Sequence, residues 1–167
     1  MADRFQCKTV DMTFFDTAPF RYKAEIEVKA SAAEVFASFE NAEDWPRWAM
    51  PIQKVEWTAP KPFGIGTTRT VSMMGGLIGY EEFIAWERER EMAFCFSHAS
   101  DNTMESFAER YQVEELSEKL CKVRWTMAMR PKGFSKYFLP VFSPIMNFGV
   151  KIMLRKFGKL VEGRSCC

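Results

Sequence analysis

Few groups in this sequence could do chemistry inside a folded domain. They are one histidine, His98, and three ionisable residues on predicted strands, Arg69, Glu109 and Tyr111. Such side chains suit acid–base catalysis, because each can hold a proton or stabilise a charge close to a reacting group. The spacing in the sequence places none of them beside a second group ready to take its proton. We therefore rank binding above catalysis, and predict no catalytic residue.

Arg69 and Glu109 lie on strands whose apolar residues alternate with polar ones, and both fall on the apolar side of the alternation. An ionisable group on an apolar wall must find a partner, shift its pKa or reach water. We expect these two residues to form an ion pair. The pair would either orient the polar end of a ligand or be a structural contact at the rim of a cavity. A one-residue change of strand register, which would turn these residues outward, is the other alternative.

Other kinds of site find little support. One histidine and five scattered cysteines do not make a metal-ligand set, and no cofactor is expected. The run Gly75–Gly79 (GGLIG) lacks the Lys and Ser/Thr of a phosphate-binding loop, so it is either a hairpin turn or a mobile loop that gates a cavity. The tryptophans are not interleaved with a basic stripe, which argues against nucleic-acid binding.

Charge is distributed unevenly along the chain. Residues 130–167 contain eight basic residues and one acidic residue, which leaves 15 basic and 21 acidic in residues 1–129. A basic C-terminal segment could support an acidic sheet electrostatically. Alternatively, its outer face could make transient contact with anionic lipid or an acidic protein.

The N-terminus (MADRFQCK) lacks the apolar core of a secretory signal, and no apolar run approaches the roughly eighteen residues of a membrane span. A cytoplasmic location is therefore expected. The cysteines are odd in number and scattered, which favours reduced thiols over a disulfide framework. They are Cys7, Cys95, Cys121, Cys166 and Cys167, the last two in an expected frayed tail.

Hydrophobic periodicity predicts the order of the elements. Apolar and polar residues alternate at every position from 20 to 28, as in a half-buried antiparallel strand. Ser31 and Glu34 form a capping box that opens a helix, and residues 41–48 (NAEDWPRW) predict a second short helix or turn. Six strands joined by turns follow, at 52–58, 66–73, 78–87, 92–98, 104–115 and 119–130.

The last element is an amphipathic helix predicted over residues 143–162. Ser143 is its expected N-cap and Pro144 its first residue. A helical wheel assigns the buried arc to Phe142, Ile145, Met146, Gly149, Ile152, Met153, Phe157 and Leu160. Such a broad apolar face must lie on something large and apolar, and the sheet is the candidate.

This pattern resembles the START-like superfamily of polyketide cyclases and lipid-transport proteins (SRPBCC). The segments that carry the resemblance are IEVKASAAEVFASFENAEDWPRW (26–48), FGIGTTRTV (63–71), FIAWERERE (83–91) and AERYQVEEL with VRWTMAMRP (108–131). The resemblance implies an α+β helix-grip fold: a curved, seven-stranded antiparallel sheet around a long C-terminal helix, with two short helices between its first two strands. It divides the chain into an extension (1–19), one ligand-binding domain (20–163) and a tail (164–167).

Members of this superfamily use an internal cavity for different purposes, so the resemblance leaves three functions open. The first is a carrier or sensor of a hydrophobic small molecule such as a lipid, sterol, quinone or polyketide. The second is an aromatase/cyclase-type enzyme, and the third is a module that contacts a membrane or protein through its basic helix. Alternation and helix periodicity predict the ligand-binding residues as Arg69, Val71, Met73, Phe94, Phe96, His98, Phe107, Glu109, Tyr111, Trp125, Met127, Met146, Gly149 and Met153.

Overall fold

A computed structural model describes residues 4–165, which form one antiparallel sheet and four α-helices. The strands are β1 (Phe5–Gln6), β2 (Phe20–Val28), β3 (Ile52–Trp57), β4 (Thr68–Met73), β5 (Ile78–Glu87), β6 (Glu91–Ala99), β7 (Met104–Ser117) and β8 (Leu120–Pro131). The helices are α1 (Phe14–Thr17), α2 (Ala32–Glu40), α3 (Trp45–Trp48) and α4 (Ser135–Ser165). The seven longer strands follow the order β2-β8-β7-β6-β5-β4-β3.

This architecture confirms the predicted helix-grip fold. The strand at residues 20–28 has the predicted bounds, and the six later strands depart from theirs by at most two residues at either end. From β4 to β8 each strand pairs with the one before it, so these strands and β3 form a meander. Strand β2 pairs with β8, which leaves β2 and β3 at the two edges of the sheet. The sheet curls around α4, which lies against its concave face.

The two short helices between β2 and β3 hold one end of the fold together. Ser31 caps α2 in a complete capping box with Glu34, as predicted. At α3, the fully buried Asp44 accepts hydrogen bonds from the Ser38 hydroxyl at 2.6 Å and from both terminal nitrogens of Arg164 at 2.5 Å. These bonds join α2, α3 and the end of α4, so they set the position of α4 across the sheet.

An aromatic cluster fills this end of the space between the sheet and α4. Phe39 of α2 stacks on Phe157 of α4 with ring centroids 4.7 Å apart, and Tyr111 stacks on Trp125 at 5.6 Å. Trp48 of α3 contacts Phe157 at 5.1 Å. Stacked and edge-to-face rings contribute roughly 0.5–1.5 kcal/mol per pair beyond their buried area, so these contacts stabilise this end of the core.

Helix α4 begins at Ser135, eight residues before the predicted start, so the prediction of Ser143 as an N-cap is wrong. Pro140 and Pro144 lie inside the helix on its exposed side, where water can bond to the carbonyls that they leave unpaired. The Ser143 hydroxyl instead donates to the Leu139 carbonyl at 3.0 Å and lies 2.9 Å from the hydroxyl of Tyr22 on β2.

The buried face of α4 also differs from the predicted arc. Val150, Leu154, Phe157 and Val161 are its fully buried residues, whereas Ile145 is 66% exposed. The wheel was ambiguous because the first half of the helix is apolar on both sides. Gly158 allows the helix to approach β2 closely, since a Cβ there would lie 2.8 Å from Ile26 Cδ1. The sheet thus selects one of two apolar faces.

The segment before β2 first extends the sheet and then packs on its convex face. Phe5 and Gln6 pair with the end of β6, beyond the point where β6 and β7 separate. Phe14 and Phe15 of α1 are buried against a small cluster of alanines and Cys95 on that face. The separate extension predicted for residues 1–19 stays a prediction, as does the tail, in which Cys166 and Cys167 lie outside the described residues.

Helix α4 has one further property that the sequence analysis did not anticipate. Its segment Ser135–Arg164 is long and apolar enough to cross a membrane by length and composition. Only 11% of its most apolar 18-residue window is buried in the fold. The sequence analysis expected no uninterrupted apolar run of about this length, and polar residues such as Lys136, Ser143 and Asn147 do interrupt this segment.

Candidate functional site

A pocket of about 280 Å³ lies between the concave face of the sheet and the first half of α4. Met50 and Leu77, both exposed, lie on its wall and mark its opening to solvent. The volume is near the lower end of the roughly 300–1,000 Å³ of small-molecule sites. Its lining is mostly apolar, with sulfur and aromatic groups prominent.

The side chains that line the pocket come from alternate positions on the strands and from the edge of the aromatic cluster. Along β7, Phe107, Glu109 and Tyr111 point into the pocket, and Trp125 and Met127 do so from β8. Their register explains the arrangement, because Glu109 pairs with Met127 and Tyr111 with Trp125 across the two strands. Phe94 and Phe96 of β6, Val71 and Met73 of β4, and Met146 and Met153 of α4 complete the predicted part of the lining.

Two carboxyl groups and one guanidinium group are buried at the inner end of the pocket. Arg69 is fully buried and forms an ion pair and a hydrogen bond with Glu81. The guanidinium lies over the ring of Trp45 at 4.0 Å and over that of Phe94 at 4.6 Å. Arg69 thus has both a counter-charge and two aromatic faces to stabilise it without water.

Glu109 has no such counter-charge within contact distance among the described residues. Its Oε2 accepts a hydrogen bond from the Tyr111 hydroxyl at 2.5 Å. Burial raises the pKa of Glu109 to about 8, although the Tyr111 hydrogen bond lowers it in part. Burial likewise raises the pKa of Tyr111, and the Glu109 charge raises it further. At pH 7 the pair is therefore a neutral carboxylic acid bonded to a neutral phenol.

The expected Arg69–Glu109 ion pair is wrong, because the partner of Arg69 is Glu81. The register of the β4–β5 hairpin places Arg69 directly opposite Glu81. The sequence did contain a signal for this contact: Gly79, Glu81 and Phe83 alternate on one face of β5. That signal was obscured because both faces of β5 mix polar and apolar residues.

Three predicted ligand-binding residues do not line the pocket. Arg69 lies behind Glu81 and Phe94, and Gly149 lies on α4 outside the lining. His98 is displaced by a register irregularity: Tyr80 pairs with His98 but the next residue, Glu81, pairs with Phe96. One extra residue on β6 reverses the alternation, so Ala99 rather than His98 reaches the pocket.

The other eleven predicted residues line the pocket, and whether they bind a ligand remains a prediction. The predicted set of ligand-binding residues did not include several others, most of which lie on turns, at strand ends or next to α3. They are Trp45, Ala49, Met50, Pro51, Ile52, Leu77, Ile78, Glu81, Ala99, Asp101, Thr103, Met104 and Met129. Among residues 4–165, no three His, Cys, Asp or Glu side chains are grouped as a metal site would require.

The sequence of residues 19–162 matches the family model described as polyketide cyclase/dehydrase and lipid transport. The chain belongs to this family. An uncharacterized protein of Mycobacterium tuberculosis is 38% identical to it over 160 residues, which are 96% of this chain and 95% of that protein. The predicted membership of the START-like superfamily is thereby confirmed.

Solved structures agree with this assignment at the level of the fold. The Zhui aromatase/cyclase from a Streptomyces species superposes with a TM-score of 0.71 at 11% identity, covering 87% of this chain and 95% of that one. A START superfamily protein from Mycobacterium smegmatis superposes with a TM-score of 0.63 at 16% identity, covering 86% and 95%. At these identities the two structures share the fold with this family member, and their activities do not transfer.

Proposed function

We propose that this protein binds an apolar small molecule with a neutral polar end, as a carrier or sensor. The observation that carries the proposal is an apolar pocket whose wall presents one hydrogen-bonded carboxyl–phenol pair, Glu109 and Tyr111. Apolar walls provide affinity through burial of ligand surface, and one or two polar groups orient the ligand.

The charges at the inner end favour a neutral ligand over an anionic one. Glu81 is already neutralised by Arg69, so no free cation among the lining residues is available for a ligand carboxylate. A protonated Glu109 can donate one hydrogen bond to a ketone, quinone or hydroxyl oxygen. The preferred ligand is therefore a sterol, quinone, polyketide or lipid alcohol rather than a fatty-acid anion.

Binding can be tested with a naphthoquinone, a sterol and a fatty acid as probes. Quenching of tryptophan fluorescence reports occupancy, because Trp45 and Trp125 line the pocket. Organic extraction of the purified protein followed by mass spectrometry would identify any ligand that co-purifies. We expect the neutral probes to bind at pH 7 and the fatty acid to bind at least tenfold more weakly.

A pocket-filling variant supplies the structural control. Met153→Trp places a larger side chain on the pocket wall, and we expect it to weaken binding of the neutral probes at least tenfold. Met12→Trp is the matched variant, since Met12 is also half-buried but packs on the convex side of the sheet. Equal affinities of the two variants, or no binding of any probe, would contradict the proposal.

Catalysis of the aromatase/cyclase type is the second candidate, and one contact favours it. The sequence suggested no pair of groups able to exchange a proton, yet the Tyr111 hydroxyl and Glu109 lie 2.5 Å apart in the pocket. A neutral acid hydrogen-bonded to a phenol can donate a proton to a carbonyl oxygen as a general acid. Incubation with a poly-β-ketone thioester distinguishes the two functions. If the wild type converts this substrate and Glu109→Gln converts it at least 100-fold more slowly while still binding it, the protein is an enzyme.

A further inference from the structure

The first half of α4 carries large apolar side chains that no other part of the described chain covers. We name this surface the outer apolar face: Tyr137, Phe138, Val141, Phe142, Ile145 and Phe148. Their exposed fractions range from 50% to 72%. A contiguous apolar patch of this kind on a protein surface marks an interaction site. We propose that the outer apolar face binds the surface of an anionic lipid bilayer.

The helix geometry makes this face continuous and separates it from the core. Positions 138, 141, 145 and 148 recur at three and four residues, so their side chains lie along one side of the helix. The buried Val150 and Leu154 lie on the opposite side. The face extends about 17 Å along the axis at about 1.5 Å per residue.

The charges around the face complement anionic lipid. Residues 131–161 contain six basic residues and no acidic residue. Lys132 and Lys136 lie at the N-terminal end of the outer apolar face. Arg155, Lys156 and Lys159 follow its C-terminal end, on the exposed side of the helix. Apolar side chains flanked by cations are the composition of a helix that lies in the membrane interface and contacts headgroups with its basic residues.

Two observations favour a helix that lies on the bilayer over one that crosses it. The inner side of α4 packs into the core through Phe157 and Val161, which are fully buried. Arg164 at its end is bonded to Asp44 inside the fold. A spanning helix would have to break both contacts. The sequence placed a membrane contact on the basic part of this helix, and the structure adds the apolar surface that would insert.

The neighbouring pocket gives this contact a consequence. Ile145 belongs to the outer apolar face, and the next residue, Met146, lines the pocket. Docking would therefore bring lipid close to the pocket wall on the α4 side. Bilayer binding itself requires no ligand in the pocket, so its test is independent of the function proposed above.

Flotation with lipid vesicles tests the inference. The full chain is mixed with vesicles of phosphatidylcholine alone, or with one third phosphatidylglycerol, at low and high salt. We expect at least tenfold more protein on the anionic vesicles and a weaker association at high salt. The variant Phe138→Ser/Ile145→Ser should lose at least tenfold of this binding. Ile65→Ser/Leu116→Ser, which also removes two exposed apolar side chains, should bind like the wild type.

Thermal unfolding of both variants checks that the fold is retained, since all four side chains are exposed. Wild-type binding by the α4 variant would overturn the inference. Retention in the membrane fraction after alkaline carbonate extraction would also overturn it, because it would indicate a spanning helix. A third contrary outcome is a concentration-dependent dimer that is lost in the α4 variant without any vesicle binding, since the face would then pair with a second copy of the chain.

Discussion

Replacement of Glu109 by glutamine should make the protein more stable at alkaline pH than the wild type. Glutamine has nearly the same shape as a protonated glutamic acid, and its side-chain oxygen can still accept the hydrogen bond from Tyr111. It cannot ionise. The variant therefore removes the free-energy cost of a buried charge and leaves the packing of the pocket almost unchanged.

The sign and size follow from the pKa of Glu109, which is about 8 in the folded protein against an ordinary value of 4.5. Below pH 4.5 the folded and unfolded states both hold the proton, so the contribution of Glu109 is constant. Between these values the unfolded state releases the proton first, and stability falls as pH rises. The full difference corresponds to about 5 kcal/mol at about 1.4 kcal/mol per pKa unit. This is an upper bound, because the pocket opens to water that can hydrate the carboxylate.

Urea unfolding of both proteins at intervals from pH 4.5 to pH 9 provides the measurement. The difference in unfolding free energy between variant and wild type isolates Glu109, because every other titrating group occurs in both. We expect a difference within about 1 kcal/mol at pH 4.5, the size of one altered hydrogen bond. It should grow in favour of the variant by about 2–5 kcal/mol by pH 9.

The exposed Glu118 in the β7–β8 turn provides the control, since Glu118→Gln should follow the wild type at every pH. If the Glu109→Gln and wild-type curves stay parallel over the whole range, Glu109 is ionised in the folded protein at neutral pH. The argument for a neutral acid in the pocket, and for a preference for neutral ligands, would then fail.

Two further substitutions test the packing around the pocket and the position of α4. Gly79→Ala places a Cβ 2.6 Å from Cζ of Phe96, so the ring must move. We expect this variant to lose about 1–3 kcal/mol of unfolding free energy in urea and to bind naphthoquinone with altered affinity. Gly149→Ala is the control: its Cβ would meet nothing within 4 Å, so it should stabilise the helix. Arg164→Gln removes the cation that pairs with the buried Asp44. It should lower the unfolding free energy by about 1–3 kcal/mol, a modest loss because the Arg164 guanidinium is half exposed. A loss smaller than the experimental error would show that α4 is positioned without this ion pair.

The local pattern of the sequence was sufficient for β2 to β8, for α2 and for the order of these elements, but not for β1, α1 or the start of α4. Alternation depends only on neighbouring residues, so the strand at residues 20–28 could be read directly. The capping box at Ser31 and Glu34 is equally local. The same reasoning placed Phe107, Glu109 and Tyr111 on one wall, because β7 keeps its alternation through this stretch.

Tertiary structure decided the features that depend on how two elements meet. A single extra residue in β6 turned His98 away from the pocket, and a bulge leaves no local signal in a run of residues with mixed polarity. The pairing of Arg69 with Glu81 required the register of two strands. Helix α4 is apolar on two sides in its first half, so periodicity could not tell which side faces the sheet. Packing buried Leu154 and left Ile145 in solvent, because only one side of a helix can lie against a curved sheet.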